Sequence, residues 1–449
     1  VYEFVRRLPI RTIFMLLAVW LFLALVNLIF LIAGFHTDSP IWFPISVFIG
    51  PTIHVSGIPY LLLFLVVLAL ASTISSHLNI YHIWLVGFVL IVLGNLGQGD
   101  WDSAFHKPFY ESGFQYYHDA IKIDSWSSWL ASFNSNQSSL LMHTKTHPPF
   151  AVLIHYFLLQ MSGDSIPFLS MAFLFLSSLS LVLVWNILRV LEVPLEKRNL
   201  LTLLFSVIPA VNIYSAVSLG GVILSSSTLF LFGMINLLKR EPKFVIGVIS
   251  FLIGLVITNY LTFSGVFLVA VAGVQAVRNF FVDKKFDVAI SLVISIVVFV
   301  ILSLSLHLAY GYNHAQAFLT ASYLENPKGF MGWSEPLVYL FTRIENVSEI
   351  ALFLSVGFLA VLFHPSKLSF SWSDWRTIEI GVTLSGLITL LAMFLTGAFR
   401  TGETARAALF VYPYIMLTLT KANSRSIKDL ITLAGLQTSL LQLFGGYFW

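Results

Sequence analysis

The sequence predicts an all-α protein that crosses a membrane many times, and three observations carry that expectation. Of its 449 residues 58% are hydrophobic and only 10% are charged, against about 25% charged in a soluble domain. The apolar residues come in successive runs of about 17 to 25, the length a helix needs to cross a hydrocarbon core of about 30 Å. A β-barrel would instead show alternating segments of about 10 residues. The third observation is that the basic residues gather in short turns between the runs.

Taken in order, the runs place about thirteen spans at 10–34, 57–75, 81–97, 164–188, 200–219, 222–238, 244–260, 262–278, 287–308, 349–364, 377–397, 404–421 and 427–446. The first is too long for a signal peptide and lacks a cleavage pattern, so it reads as a retained anchor. Residues 1–80, with the first two spans, read as an addition to a core of 81–449. No fixed-period repeat or flexible linker divides that core. The chain has no cysteine, which excludes disulfides, a thiolate nucleophile and cysteine metal sites. Its net charge of +3 is spread over scattered turns, so nucleic acid is not expected as a partner. Membrane lipid is.

Orientation follows from Lys and Arg. Arg6, Arg7 and Arg11 precede the first span, and basic turns follow at Arg189/Lys197/Arg198, Lys239/Arg240/Lys243, Arg278/Lys284/Lys285, Lys367/Arg376 and Lys421/Arg425/Lys428. All fall on one side if Pro148 to Met161 is an interfacial or re-entrant helix rather than a span, and the positive-inside rule makes that side cytoplasmic. Its apolar run of about 13 residues fits such a segment. Two long loops, 98–163 and 309–348, then face outward, and the sequons at Asn136 and Asn346 fall one in each.

The stretch Gly97 to Phe150, most of the first loop, holds five of the 21 acidic residues and four of the 12 histidines. Asp100, at the end of the third span, reads either as a solvated helix-end acid or as a general base toward an acceptor arriving from outside. Asp102 has the same two readings and could also orient substrate or ligate a metal. Glu111 and Asp119 lie in an aromatic stretch with Tyr116 and Tyr117 that suits either a sugar site or a surface helix. Pro148 and Pro149 are expected to hold an extended backbone, with His143, Lys145 and His147 alternating onto one face able to bind a phosphate. Near the other end, Glu403 and Arg406 are three residues apart and can pair on a helix, while Arg400 and Arg406 offer cations for a phosphate. Lys328, Glu335, Arg343 and Glu345, around Trp333 and Tyr339, read as surface charge or as a lid. Spans 4 to 11 show almost no acid within their cores, which argues against an ion-coupled transporter.

Together, Asp100, His147-Pro148-Pro149-Phe150 with a short helix to Met161, the span ending at Arg189, Ile208 to Tyr214, and Gly402-Glu403-x-x-Arg406 before Tyr412-Pro413 resemble the GT-C superfamily of membrane glycosyltransferases. The nearest branch includes protein O-mannosyltransferases and aminoarabinose transferases. The resemblance covers about Asp100 to Leu238 and Gly397 to Pro413. It departs in two places, with Asp-Trp-Asp where relatives carry adjacent acids and Ser218-Leu-Gly-Gly-Val where many carry an aspartate. The resemblance implies a GT-C-like bundle working on its extracytoplasmic face. It also implies inverting transfer from a polyprenyl-phosphate sugar donor to a glycan, lipid or protein acceptor. On that reading Asp100 is the base, with Asp102, Glu111 and Asp119 as alternatives. Lys145, His147, Arg400 and Arg406, with His143, surround the departing phosphate. Some members use a divalent metal such as Mg²⁺ or Mn²⁺ and others do not, and the sequence does not decide between them. A non-catalytic scaffold or lipid-binding subunit of the same fold is the alternative from another class.

Overall fold

The computed structural model describes residues 10–35, 37–40, 43–45, 53–239, 244–362, 372–400 and 403–446. Arg6, Arg7, Arg240, Lys243, Lys367 and Gly402 lie outside them. Among the described residues there is no β-strand. The chain runs through α1 (Ile10–Ile32), α2 (Ile58–Thr73) and α3 (Ile80–Leu96), then through the short helices α4 (Trp101–Phe105), α5 (Lys107–Tyr110), α6 (Tyr117–Ala120), α7 (Trp126–Asn136), α8 (Met142–Lys145) and α9 (Phe150–Ser162). There follow α10 (Ile166–Val190), α11 (Leu195–Val207), α12 (Pro209–Tyr214), α13 (Leu219–Lys239), α14 (Phe244–Leu261), α15 (Val266–Asp283) and α16 (Asp287–Tyr310). The last third holds α17 (His314–Glu325), α18 (Met331–Ser334), α19 (Pro336–Leu354), α20 (Val356–Leu362), α21 (Ile378–Leu395), α22 (Thr404–Ala407), α23 (Tyr412–Met416) and α24 (Ser424–Phe444).

Among the described residues eight helical segments are long and apolar enough to cross a membrane: α1, Val55–Thr73, α10, α13, α14, Phe263–Asp283, α16 and α21. The chain is thus an all-α, multi-pass membrane protein. The other five expected spans take different forms. The α3 helix has 17 residues, at the lower limit for spanning. Pro209 splits 200–219 into α11 and α12. The expected span 349–364 is the end of α19, which bends by 95° into α20 and would make a ninth crossing if the pair is one span. The stretch 404–421 is a series of short turns, and α24 is long but carries Thr438 and Gln442 in its buried face. Hydropathy could not foresee these breaks, because proline and buried polar contacts decide them locally.

The Pro209 break shows how such an interruption is tolerated away from water. Losing a proline N–H leaves helix carbonyls without their usual donors. Here the Asn212 amide donates to Ser206 O at 3.1 Å and Thr438 Oγ1 donates to Val207 O at 2.7 Å. The chain of amides continues from Gln442 Nε2 to Asn212 Oδ1 at 3.2 Å and from Gln98 Nε2 to Gln442 Oε1 at 2.6 Å. It ties α12 and α24 to the end of α3, where the first loop begins.

The α13 helix is buried along nearly all its length and forms the axis, whereas α1 and α16 face outward almost entirely. Between apolar helices in lipid, close packing and polar contacts must supply the cohesion. Ser225 Oγ donates to Ser177 O at 2.9 Å, and the Ser226 and Thr258 hydroxyls lie 2.8 Å apart. A Cβ at Gly254 would collide with the backbone nitrogen of Phe230, and one at Gly233 with that of Phe251. Glycine there lets the α13 and α14 backbones touch.

The two expected loops meet at one end of the bundle. Asn134 and Asn313 exchange a reciprocal pair of bonds at 2.9 and 2.8 Å, and Gln137 Nε2 donates to both Lys145 O and Ala317 O. The described basic turns meet at the other end, through Lys428–Glu196 at 3.0 Å, Lys421–Asp374 at 2.7 Å and Arg278 donating to Trp375 O at 3.1 Å. One expectation about the loops needs correction. Asn346 is fully buried in α19 and so is no glycan acceptor in this fold, while Asn136 is exposed.

Candidate functional site at the loop end of the bundle

Asp100 caps α4. Its backbone is extended, and its carboxylate accepts from the Ser103 N–H at 2.8 Å, meeting one of the donors that a helix start leaves unpaired. That bond holds its carboxyl below the usual range. Asp102 begins a different constellation. Trp101 Nε1 donates to His106 Nε2 at 3.2 Å, so the His106 proton sits on Nδ1 and is given to Asp102 Oδ1 at 3.2 Å. The Tyr110 hydroxyl also donates to Asp102, at 3.2 Å. About half of the Asp102 side chain stays exposed (52%), so a carboxylate oriented by two donors still faces solvent. His106 and Tyr110 were missed in the sequence, although their i+4 and i+8 spacing from Asp102 is a readable helical signal.

Glu111 is exposed and Tyr117 half-buried, and neither joins this group. Asp119 turns inward instead, where its Oδ2 accepts from Leu141 N at 3.2 Å and Lys122 lies 3.7 Å from its other oxygen. Its task is to fix the entry to α8.

The expected extended face of His143, Lys145 and His147 is not what forms. Residues 142–145 are the α8 turn, and Pro149 sits at the start of α9 with φ −58° and ψ −27°, because proline's fixed φ suits a helix start as well as an extended chain. In a helical turn residues four apart share a face. His143 and His147 therefore share one face, with the His147 Nδ1–H given to His143 O at 3.0 Å, and Lys145, two residues from each, falls off that face. The buried ring of Tyr116 joins both, at centroid distances of 5.8 and 5.5 Å, and His155 of α9 closes the group at 5.5 Å. His143 Nε2 is buried without a hydrogen-bond partner among the described residues.

The charge that reaches this aromatic group comes from Arg406. Burial, with the Arg406 cation adding to it, pushes His143 down to about 3 and His147 to about 4, so both are neutral at pH 7. Burial also raises the Tyr116 hydroxyl well above its ordinary value, with Arg406 opposing. Arg406 itself pairs with Glu403 at 3.2 Å, and each side chain keeps 21% of its surface exposed. Two further acids come from α19: Glu349, which the sequence did not single out, and Glu345, whose burial overturns its reading as surface charge or lid. Glu349 is buried, and its Oε2 accepts from Thr404 Oγ1 at 3.3 Å and Ala405 N at 3.5 Å; Glu345 is buried one turn away. Glu345 falls in the expected loop 309–348 and Glu349 opens the expected span 349–364, so both sit at the edge of that apolar run rather than within its core. Burial, against the pull of Arg406 and with the push of Glu349, raises Glu403 to about 7.

Arg400 does not join Arg406. It pairs with Glu335 at 3.0 Å, which also holds Lys328 at 2.7 Å. Arg343 is likewise committed, donating to Phe394 O, to Ala398 O at 2.7 Å and to Phe399 O at 3.1 Å, where it caps the end of α21. Gly221 has a packing reason to be glycine, because a Cβ there would overlap Ser215 O. Among the described residues no three His, Asp or Glu side chains converge on a point that could hold a metal. No family model matches this chain, and neither a curated protein nor a solved structure does.

Proposed function

We propose that this protein is an inverting glycosyltransferase of GT-C type, moving a sugar from a polyprenyl-phosphate donor to an acceptor nucleophile at the extracytoplasmic face. The observation that carries the reading is that Arg406 lies near enough to Tyr116, His143 and His147 for its charge to act on all three, beside the buried ring contacts that join them. A partly exposed cation beside neutral imidazoles can hold a phosphate head group while its lipid lies along the helices. The acceptor O–H gives its proton to a carboxylate as the new O–C bond forms, and the C–O bond to phosphate breaks with its electrons leaving on the phosphate. Asp102 is better suited to that proton than Asp100, because Asp100 is spent on a cap that lowers its basicity, whereas Asp102 faces solvent and is backed by His106. Release of polyprenyl phosphate from a short-chain donor by the purified protein, with and without Mg²⁺, tests the reading and its metal dependence together.

One observation favours a second reading. The buried acids Glu345 and Glu349 on α19 are residues that a proton-linked carrier of anionic lipids would use. Donor binding without turnover, together with pH-driven transport in vesicles, would select that reading. Donor binding with neither would select the non-catalytic subunit.

A further inference from the structure

Arg406 can hold a phosphate only by relaxing its hold on Glu403. The two side chains are 3.2 Å apart, both reach the surface with a fifth of their area, and they belong to one turn, in which Glu403 has a left-handed backbone (φ 56°) ahead of α22. Glu349 flanks the same turn from α19 through Thr404 and Ala405. Two carboxylates therefore share the neighbourhood of one guanidinium. We propose that Glu403 is a displaceable counter-ion, and that an anionic phosphate on Arg406 is bound together with one proton taken from solvent by Glu403.

The proposal rests on the glycosyltransferase reading only in taking phosphate as the ligand of Arg406. A phosphate arriving beside two carboxylates adds a third negative charge to a partly buried turn, and neutralising one carboxylate restores the balance. Glu403 is the one that can exchange a proton, because Glu349 is buried and already accepts two bonds while Glu403 is exposed at its edge. Its ordinary ionisation is already displaced toward neutrality by burial and by Glu349. The other titratable and charged groups facing the pair are Tyr116 and the imidazoles of His143 and His147, which sense Arg406, with Tyr412 and Glu345 beside Glu349. The Tyr412 hydroxyl is buried and has no hydrogen-bond partner among the described residues.

The test is calorimetric titration of the full-length protein in detergent with methyl farnesyl phosphate. This diester keeps one charge across the pH range, whereas a monoester titrates by itself near pH 6. Runs in HEPES and Tris, whose ionisation enthalpies differ, count the protons. We expect uptake approaching one proton per ligand between about pH 7 and 8, and affinity falling by up to about tenfold per pH unit above that. Glu403→Gln should bind several-fold more tightly at pH 8 and take up no proton. The wild-type proton count stands as a test even if the variant does not fold. Binding with no proton uptake overturns this inference alone. Uptake that persists in Glu403→Gln moves the proton to His143 or His147 and overturns the assignment. No binding at any pH overturns the phosphate reading of Arg406, and this inference with it.

Discussion

The carboxylate of Asp100 accepts a hydrogen bond from the backbone N–H of Ser103 at 2.8 Å, which gives this acid a structural task before any chemical one. Asparagine caps a helix as well as aspartate does, and alanine does not. Asp100→Ala should therefore cost about 1 kcal/mol of stability while Asp100→Asn costs little. Thermal melts of the two variants in detergent check this.

The base assignment separates by the same route. Asp102→Asn removes the oriented, solvent-facing carboxylate but leaves the Asp100 cap intact, so turnover should fall about 10²- to 10⁴-fold with donor affinity unchanged. Asp100→Asn should keep most of its activity. If the two results are exchanged, the proton goes to Asp100 and the His106 pair is structural.

Stability should respond to pH in two opposed ways. Glu403 is raised to about 7 in the folded chain from an unfolded value near 4.3. The folded state therefore binds its proton more tightly, and its contribution is full below about 4.3 and lost as pH rises through 7. His143 and His147 are lowered to about 3 and 4 from about 6.5, so their contribution is full above 6.5 and lost as pH falls through their folded values. Between pH 5 and 7 two histidines oppose one glutamate, so the melting temperature should rise with pH in wild type and rise more steeply in Glu403→Gln, which lacks the opposing slope. A melting profile identical to wild type would mean that Glu403 is ionised throughout.

Arg343 answers three carbonyls at the end of α21. Replacing it with Leu leaves buried acceptors unpaired at about 1 to 3 kcal/mol each, so a loss of about 3 kcal/mol is expected. Arg343→Lys should recover part of it, because one ammonium cannot span the same fork. An unchanged melting temperature in Arg343→Leu would show that water can reach that helix end.

Because the chain has no cysteine, single introduced thiols report sidedness cleanly. Gly113 is exposed with open space around it, and Asp283 is exposed at the end of α15. Gly113→Cys should react with an impermeant maleimide on intact cells, and Asp283→Cys only after permeabilisation. The reverse pattern would invert the topology and put the Arg406 cluster in the cytoplasm.

What the sequence determined by itself was the solvent and the class of fold, because the length and composition of an apolar run suffice to say that a helix crosses lipid. Eight such runs recur as long helices, and the two polar loops meet each other as one-sidedness requires. The pairing of Glu403 with Arg406 was legible from their three-residue spacing, although Glu403 sits with a left-handed backbone just ahead of α22 rather than on its face. Tertiary structure decided the rest. Whether His143 and His147 share a face depended on whether the Pro148-Pro149 entry is extended or helical, and proline's φ permits either. That α19 carries buried acids, that Arg400 serves Glu335 rather than Arg406, and that Arg406 reaches Tyr116 across almost three hundred residues are facts of packing. Hydropathy sums each segment alone, whereas a site is made by side chains that segments distant in sequence bring within reach.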